Sequence, residues 1–393
     1  MKTPDNTLGL YIHIPFCKSK CLYCDFYSLP HSEAMMDRYT AALVKHLEER
    51  TPHATDRTVD TIYFGGGTPS YLGIPRLVRL LDCIKTHYSV ADNAEITLEA
   101  NPESLHEVES VTALRCAGFN RISLGVQSAN DEELRAVGRI HTFAQVRQAV
   151  EAIRAGGIEN LSLDLIYGLP AQTMASWQKT VETVVALAPE HLSCYGLKIE
   201  EGTPLHTMQH RLILADDDAQ ADMYLWTVKY LTQHGYTHYE ISNFAREGHL
   251  SRHNMKYWML NEYMGFGPGA HSDFGGMRYS YVRDLASYCD CVERGSNALL
   301  DEQEEISPYD RMTEYLMLGL RTAHGIDATT FTQRFSRPFA PIEAVLAQFR
   351  TSGHATQTNG RWHLTAEGFL LSNAIILSVL DKIPDVLYNQ CSD

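Results

Sequence analysis

Three cysteines, Cys17, Cys21 and Cys24, fall in the short run Cys17-Lys-Ser-Lys-Cys21-Leu-Tyr-Cys24. A Cys-x3-Cys-x2-Cys loop can wrap three corners of a cubane iron-sulfur cluster and leave the fourth iron open to another ligand. The same thiols could hold zinc if His13 or His31 supplied a fourth donor. The chain has nine cysteines, and the other six are scattered. In a reducing compartment such a group of three reads as a metal site, and an odd total does not describe a complete disulfide framework.

The elements that must position this loop follow from hydrophobic periodicity. Leu8, Leu10, Ile12 and Ile14 alternate with Gly9, Tyr11 and His13, the period of a strand that ends at the cysteine loop. Strand-like segments recur at 59–64, 96–98, 121–126, 161–166 and 192–197, separated by helical periodicity at 36–47, 77–88, 107–116, 143–155 and 177–187. Six β-α repeats of these lengths predict parallel strands with right-handed crossovers. Polar or glycine-rich residues follow nearly every strand: Cys17, then Gly65 to Thr68, Glu99, Gln127, Asp164, and Tyr195 with Gly196. Collected on one rim, they fit a partial (β/α)6 TIM-like barrel that binds ligand at its C-terminal edge. The glycine run lacks Gly-x-Gly-x-x-Gly spacing and no Gly-Lys-Ser/Thr follows it, which speaks against a dinucleotide sheet or a P-loop.

The 393 residues allow more than one domain. Residues 1–245 hold the repeats. Residues 246–393 pass through loops rich in Gly, Tyr, His and Asn, then an acidic run at 301–305, then helical text at 310–320, 329–349 and 366–380 with a short hairpin flanking 356–360. This second part reads as a smaller, mostly helical, winged-helix-like domain. The net charge of −15, from 33 basic and 48 acidic side chains, repels phosphate at long range and argues against nucleic acid as a partner. No apolar run is long enough to span a membrane, and the N-terminus lacks the pattern of a secretory signal, so a cytoplasmic location is expected.

Preceded by Tyr11-Ile-His-Ile-Pro-Phe16, the cysteine loop resembles the signature of radical S-adenosylmethionine (SAM) proteins, in the family of anaerobic coproporphyrinogen III oxidase. The resemblance implies a 4Fe-4S cluster on Cys17, Cys21 and Cys24 whose open iron is chelated by SAM. It also implies SAM contacts from Gly66, Gly67 and Thr68, from Glu99 to the ribose, and from Gln127, Arg139 and Asp164. Tyr11 is expected beside the sulfonium and Tyr23 near the adenine. Two departures put oxidase activity in doubt. Phe26 stands where similar oxidases carry a fourth cysteine, and the segment before Tyr11 is shorter than theirs.

Further on, Ser251-Arg-His253-Asn254-Met-Lys-Tyr257-Trp258 resembles the heme-binding motif of the heme-chaperone branch of that family. Imidazole is a common axial ligand of heme iron and two large aromatics can cover a porphyrin face, which makes His253 the expected ligand beside Asn254, Tyr257 and Trp258. His249 and His271 are local competitors. The resemblance implies a protein that binds heme and transfers it to an acceptor hemoprotein, such as a membrane-associated respiratory enzyme. It leaves room for a homodimer formed through the cluster loop.

Overall fold

The computed structural model describes residues 6–29 and 32–383. Six parallel strands stand side by side in chain order: β1 (Thr7–Ile14), β2 (Thr58–Gly66), β3 (Val90–Ala100), β4 (Arg121–Gln127), β5 (Asn160–Tyr167) and β6 (His191–Gly196). Helices cross over between them, among them Glu33–Arg50, Ile74–His87, Phe143–Ala155 and Met174–Val185. The expected six-unit repeat is therefore present. Several of these helices start on side-chain caps, such as the box in which Thr142 and Gln145 satisfy each other's backbone N–H groups.

Alternation along the strands sorts apolar from polar side chains. Leu8, Leu10, Ile12 and Ile14 of β1 are fully buried in the main core. The other face of the sheet carries Tyr63, Glu99, Arg121, Ser123, Asp164 and Ser193, which line a common cavity. An ordinary closed barrel fills its interior with Val, Ile and Leu. Here the interior is polar and open.

The sheet grows at both ends and does not close. β7 (Thr237–Glu240) and β8 (Asn243–Ala245) add antiparallel strands beyond β6. On the other side β9 (Tyr263–Phe266) pairs parallel with β1, followed by antiparallel β10 (His271–Phe274), β11 (Met277–Tyr281) and β12 (Leu300–Glu305). The twelve strands run in one linear order. Residues 263–305, read from sequence with the C-terminal part, thus extend the first sheet, and Met264, Phe266, Tyr279 and Tyr288 join its core. Pairing with β9 removes the exposed edge that β1 would otherwise present.

A second core is built from residues 312–379 together with Tyr224. Helix Pro308–Gly319, β13 (Ile326–Asp327), helices Ala328–Phe335 and Ala340–Thr351, and the hairpin of β14 (Ala355–Thr358) and β15 (Arg361–Leu364) follow the order of a winged-helix unit. The helical text of 329–349 is interrupted at Ser336, whose φ of 53° is left-handed, just before Pro338. The final helical segment is likewise divided, into Ala366–Leu370 and Ser372–Leu380, because Leu371 leaves helical dihedrals. Among the described residues no helix is long and apolar enough to cross a membrane.

The two cores are tied by a fork-shaped ion pair. Arg311 donates to both oxygens of Asp273 on β10, at 2.6 and 2.8 Å, and Arg278 meets Glu314 at 2.6 Å. Asp273 is nearly buried, so removing the fork leaves its charge with only Arg278 at 3.6 Å. Arg311→Ala is expected to cost about 2 kcal/mol, read as a lowered urea midpoint with the transition slope unchanged.

Candidate functional site

The cysteine loop is fastened at several points. Cys17 N–H donates to Leu29 O at 3.2 Å, Cys24 N–H to Cys21 O at 3.2 Å, and Leu22 N–H to Val137 O at 3.0 Å. Cys17 Sγ sits 3.2 Å from Thr68 Oγ1. All three cysteines border a cavity of about 640 Å³ enclosed by the polar face of the sheet, a size ordinary for a small-molecule site. Three thiols on one loop fit a cluster, with one thiolate per iron. The zinc alternative needs a fourth donor. His13 is buried with its nitrogens facing Tyr11 Oη at 3.0 Å and Tyr27 O at 3.2 Å, and His31 lies outside the described residues.

The cavity wall brings together most of the residues singled out from the sequence. Gly66 has φ of 114°, and a Cβ there would meet the His13 ring at 2.6 Å; Gly67 would collide with Phe16 O at 2.7 Å. The glycines let β2 turn close beneath the cysteine loop. Thr68 continues a polar chain: it accepts from Asn101 Nδ2 at 3.0 Å, and Asn101 Oδ1 accepts from Arg139 at 3.0 Å. The Arg139 guanidinium stands 6.0 Å from the ring centre of Tyr23, so both expected contacts lie on the cysteine side of the cavity. Gln127 is held in the left-handed region, φ 66°, a conformation that costs a non-glycine residue energy and persists where surroundings enforce it.

Two carboxylates complete the wall. Glu99 accepts from Tyr63 Oη at 2.7 Å and from Gly66 N–H at 3.1 Å, yet burial pushes its pKa up to about 7. Asp164 accepts from Ser123 and Ser162, and burial again raises its pKa against those hydroxyls. Tyr11 is the member placed elsewhere. Its ring stacks on Tyr63 at 6.3 Å and it borders a neighbouring cleft with His13 and Tyr257.

The downstream motif forms the helix Arg252–Trp258, seated against the polar face of β1 to β3. Asn254 reaches the cysteine cavity, while Tyr257 and Trp258 line a second cleft of about 480 Å³ with Glu240, Asn243 and Arg278. Tyr195, Ser242 and Asn254 border both spaces. His253 faces away from this cleft and is fully buried. Its Nδ1 lies 2.8 Å from Thr61 Oγ1 and its Nε2 2.8 Å from Tyr257 Oη, and burial lowers its pKa to about 3. Both ring nitrogens are therefore engaged within the protein. His249 and His271 lie outside the walls of the aromatic cleft.

A polar-lined, open parallel sheet with a three-cysteine loop after its first strand defines a radical SAM protein, and the Radical SAM superfamily model matches residues 11–184. The HemN C-terminal domain model matches residues 306–371. Two curated relatives span nearly the whole chain. The heme chaperone HemW of Bacillus subtilis (strain 168) is 34% identical over 95% of this chain and 99% of its own length. Its counterpart from Escherichia coli (strain K12) is 34% identical over 94% and 97%. The chain belongs to the HemW heme chaperone family. Among solved structures, coproporphyrinogen III oxidase (HemN) from Escherichia coli, described as a radical SAM enzyme, superposes with a TM-score of 0.83 at 26% identity, covering 96% of this chain and 91% of that one.

Tyr63, Asn101 and Arg121 are cavity residues that the sequence reading passes over. Tyr63 and Arg121 sit inside apolar strand text, and only strand parity could have turned them toward the rim residues; Asn101 follows Glu99 in a turn. Glu99 also yields a pH test. Its folded pKa of about 7 lies above its ordinary 4.5, so the stability it contributes is fully present below about 4.5 and is lost as the pH rises through about 7. Glu99→Gln should flatten the fall in unfolding free energy between pH 5 and pH 8, measured by urea titration, by up to about 3 kcal/mol. Glu240, raised likewise to about 7, adds a slope of the same sign.

Proposed function

We propose that this chain binds heme in the cleft walled by Tyr257 and Trp258 and passes it to an acceptor hemoprotein. In this reading Cys17, Cys21 and Cys24 hold a 4Fe-4S cluster, and Gly66, Gly67, Thr68, Glu99, Gln127, Arg139 and Asp164 hold SAM in the adjoining cavity. The observation that carries the proposal is the shared wall: Asn254 of the motif helix borders the cysteine cavity while Tyr257 and Trp258 line the cleft behind it. When bound, the cluster and SAM supply one-electron chemistry. The protein's part is to seat them beside the heme site and to keep water from the cavity floor.

Tyr257 and Trp258 are half-buried and offer flat apolar surface to a porphyrin. His253 then acts on Tyr257, whose hydroxyl it holds, and leaves the iron to another ligand. The relatives' name supports delivery to hemoproteins, and the eight described cysteines are all free thiols, in keeping with a reducing cytoplasm. The likeness to HemN favours a second reading, oxidative decarboxylation of coproporphyrinogen III, against which Phe26 at the position of a fourth cysteine stands.

Heme titration of the cluster-loaded protein, followed by transfer to an apo-hemoprotein, tests the proposal. Saturable binding with a Soret band is expected. Trp258→Ala should weaken it about tenfold, near 1.4 kcal/mol, and His253→Gln should leave the Soret position where it was. Failure of the wild-type chain to bind heme removes the reading, and protoporphyrinogen formed from coproporphyrinogen III would install the oxidase instead.

A further inference from the structure

Arg121 opens β4 and borders the cysteine cavity, yet it is only 2% exposed. Its Nε has no partner, and among the described residues the guanidinium makes no hydrogen bond or ion pair. Its charge acts on Glu99 and Asp164 only through space, while both carboxylates spend their oxygens on hydroxyl and backbone donors. Leaving a buried charge unpaired costs several kcal/mol. A guanidinium held in that state presents its donor fork to whatever anion enters the cavity.

Arg121 floors the cavity one side-chain step below the level of Glu99 and Asp164, the two carboxylates given to SAM. Arg139, the other cavity guanidinium, is bound to Asn101 on the cysteine side. Arg121 lies six residues back along β4 from Gln127, about 20 Å deeper along the strand. There its charge is felt by His191 and Tyr239. Tyr239 Oη in turn bonds His191 at 2.8 Å and receives Ser251 N–H at 3.4 Å, so Arg121 sits beneath the start of the motif helix. Tyr195, Ser242 and Asn254 line the same cavity as Arg121 and border the aromatic cleft as well.

We propose that Arg121 anchors a carboxylate arm, a propionate, of the tetrapyrrole whose ring lies against Tyr257 and Trp258, the arm crossing between the two spaces past Asn254. The inference rests on the heme reading above and names the residue that makes the site select an acidic porphyrin. SAM also carries a carboxylate, and the test separates the two sources.

Heme and heme dimethyl ester, the same ring with both carboxylates masked, are titrated into cluster-loaded wild type, Arg121→Met and Arg121→Lys, and SAM binding is measured in each. Wild type should prefer heme to the diester about tenfold or more. Arg121→Met should bring the two affinities together by weakening heme alone, Arg121→Lys should keep part of the preference, and SAM affinity should hold in both. Equal binding of heme and diester by wild type, a preference that survives Arg121→Met, or a loss confined to SAM would overturn the assignment. Should Arg121→Met fail to load a cluster, the diester comparison in wild type and Arg121→Lys decides. If wild type binds neither porphyrin, the heme reading itself falls, and the anchor with it.

Discussion

A single carboxylate in the third strand holds the two halves of the site together. Glu95, 6% exposed, accepts from Arg252 N–H and His253 N–H at 3.0 Å each, at the N-terminal end of the helix Arg252–Trp258. Free N–H groups and the positive end of the helix dipole both favour a negative charge there. Lys256 fixes the other end through Asp60 at 2.7 Å and Thr7 at 3.0 Å. A helix this short has no stability of its own in water; it exists because β1 to β3 provide these partners. Once seated, it puts His253 against Tyr63 in a stack at 5.2 Å, and the Tyr63 hydroxyl goes on to Glu99. The aromatic cleft and the cysteine cavity are thus two sides of one packed layer.

That layer explains why the sheet's interior is polar. An open lumen floored by a helix can keep serines, acids and an arginine only if most of their polar atoms find partners, and most do: Ser123 and Ser162 turn to Asp164, His191 to Ser162 and Tyr239, and Thr61 to His253. The apolar compensation lies on the opposite face, where β4 and the crossover helices bury Ile122, Leu124, Val126, Val146 and Ile153 completely. Burial is still incompletely offset at Glu99 and Glu240, whose pKa values rise to about 7, and at Gln127, held with positive φ. Groups under such tension collect where a protein keeps room for a ligand.

Much of this was legible in the chain. The β-α alternation, the cysteine loop after β1 and the run of rim residues at strand ends follow from local pattern, because side-chain period and turn chemistry act over a few residues. Arg121, by contrast, reads as the first residue of an apolar strand, and nothing near it in sequence says that its charge has no mate. The extent of the large sheet was equally hidden. β9 carries only four residues, and its pairing with β1 joins positions some 250 residues apart, for which no local signal exists.

The sequence by itself determined the chemistry on offer: three thiols spaced for a cluster, glycines that let backbone approach them, acids and an amide at successive strand ends, and an aromatic pair beside a histidine. These are properties of residue type and short spacing. Only the tertiary structure decided where each points. It turned His253 inward to Thr61 and Tyr257, set Tyr11 on the neighbouring cleft, and left Arg121 facing the cavity unpaired. Orientation depends on which distant strand supplies the hydrogen-bond partner, and that is settled only when β1, β2, β3 and the motif helix pack into one layer.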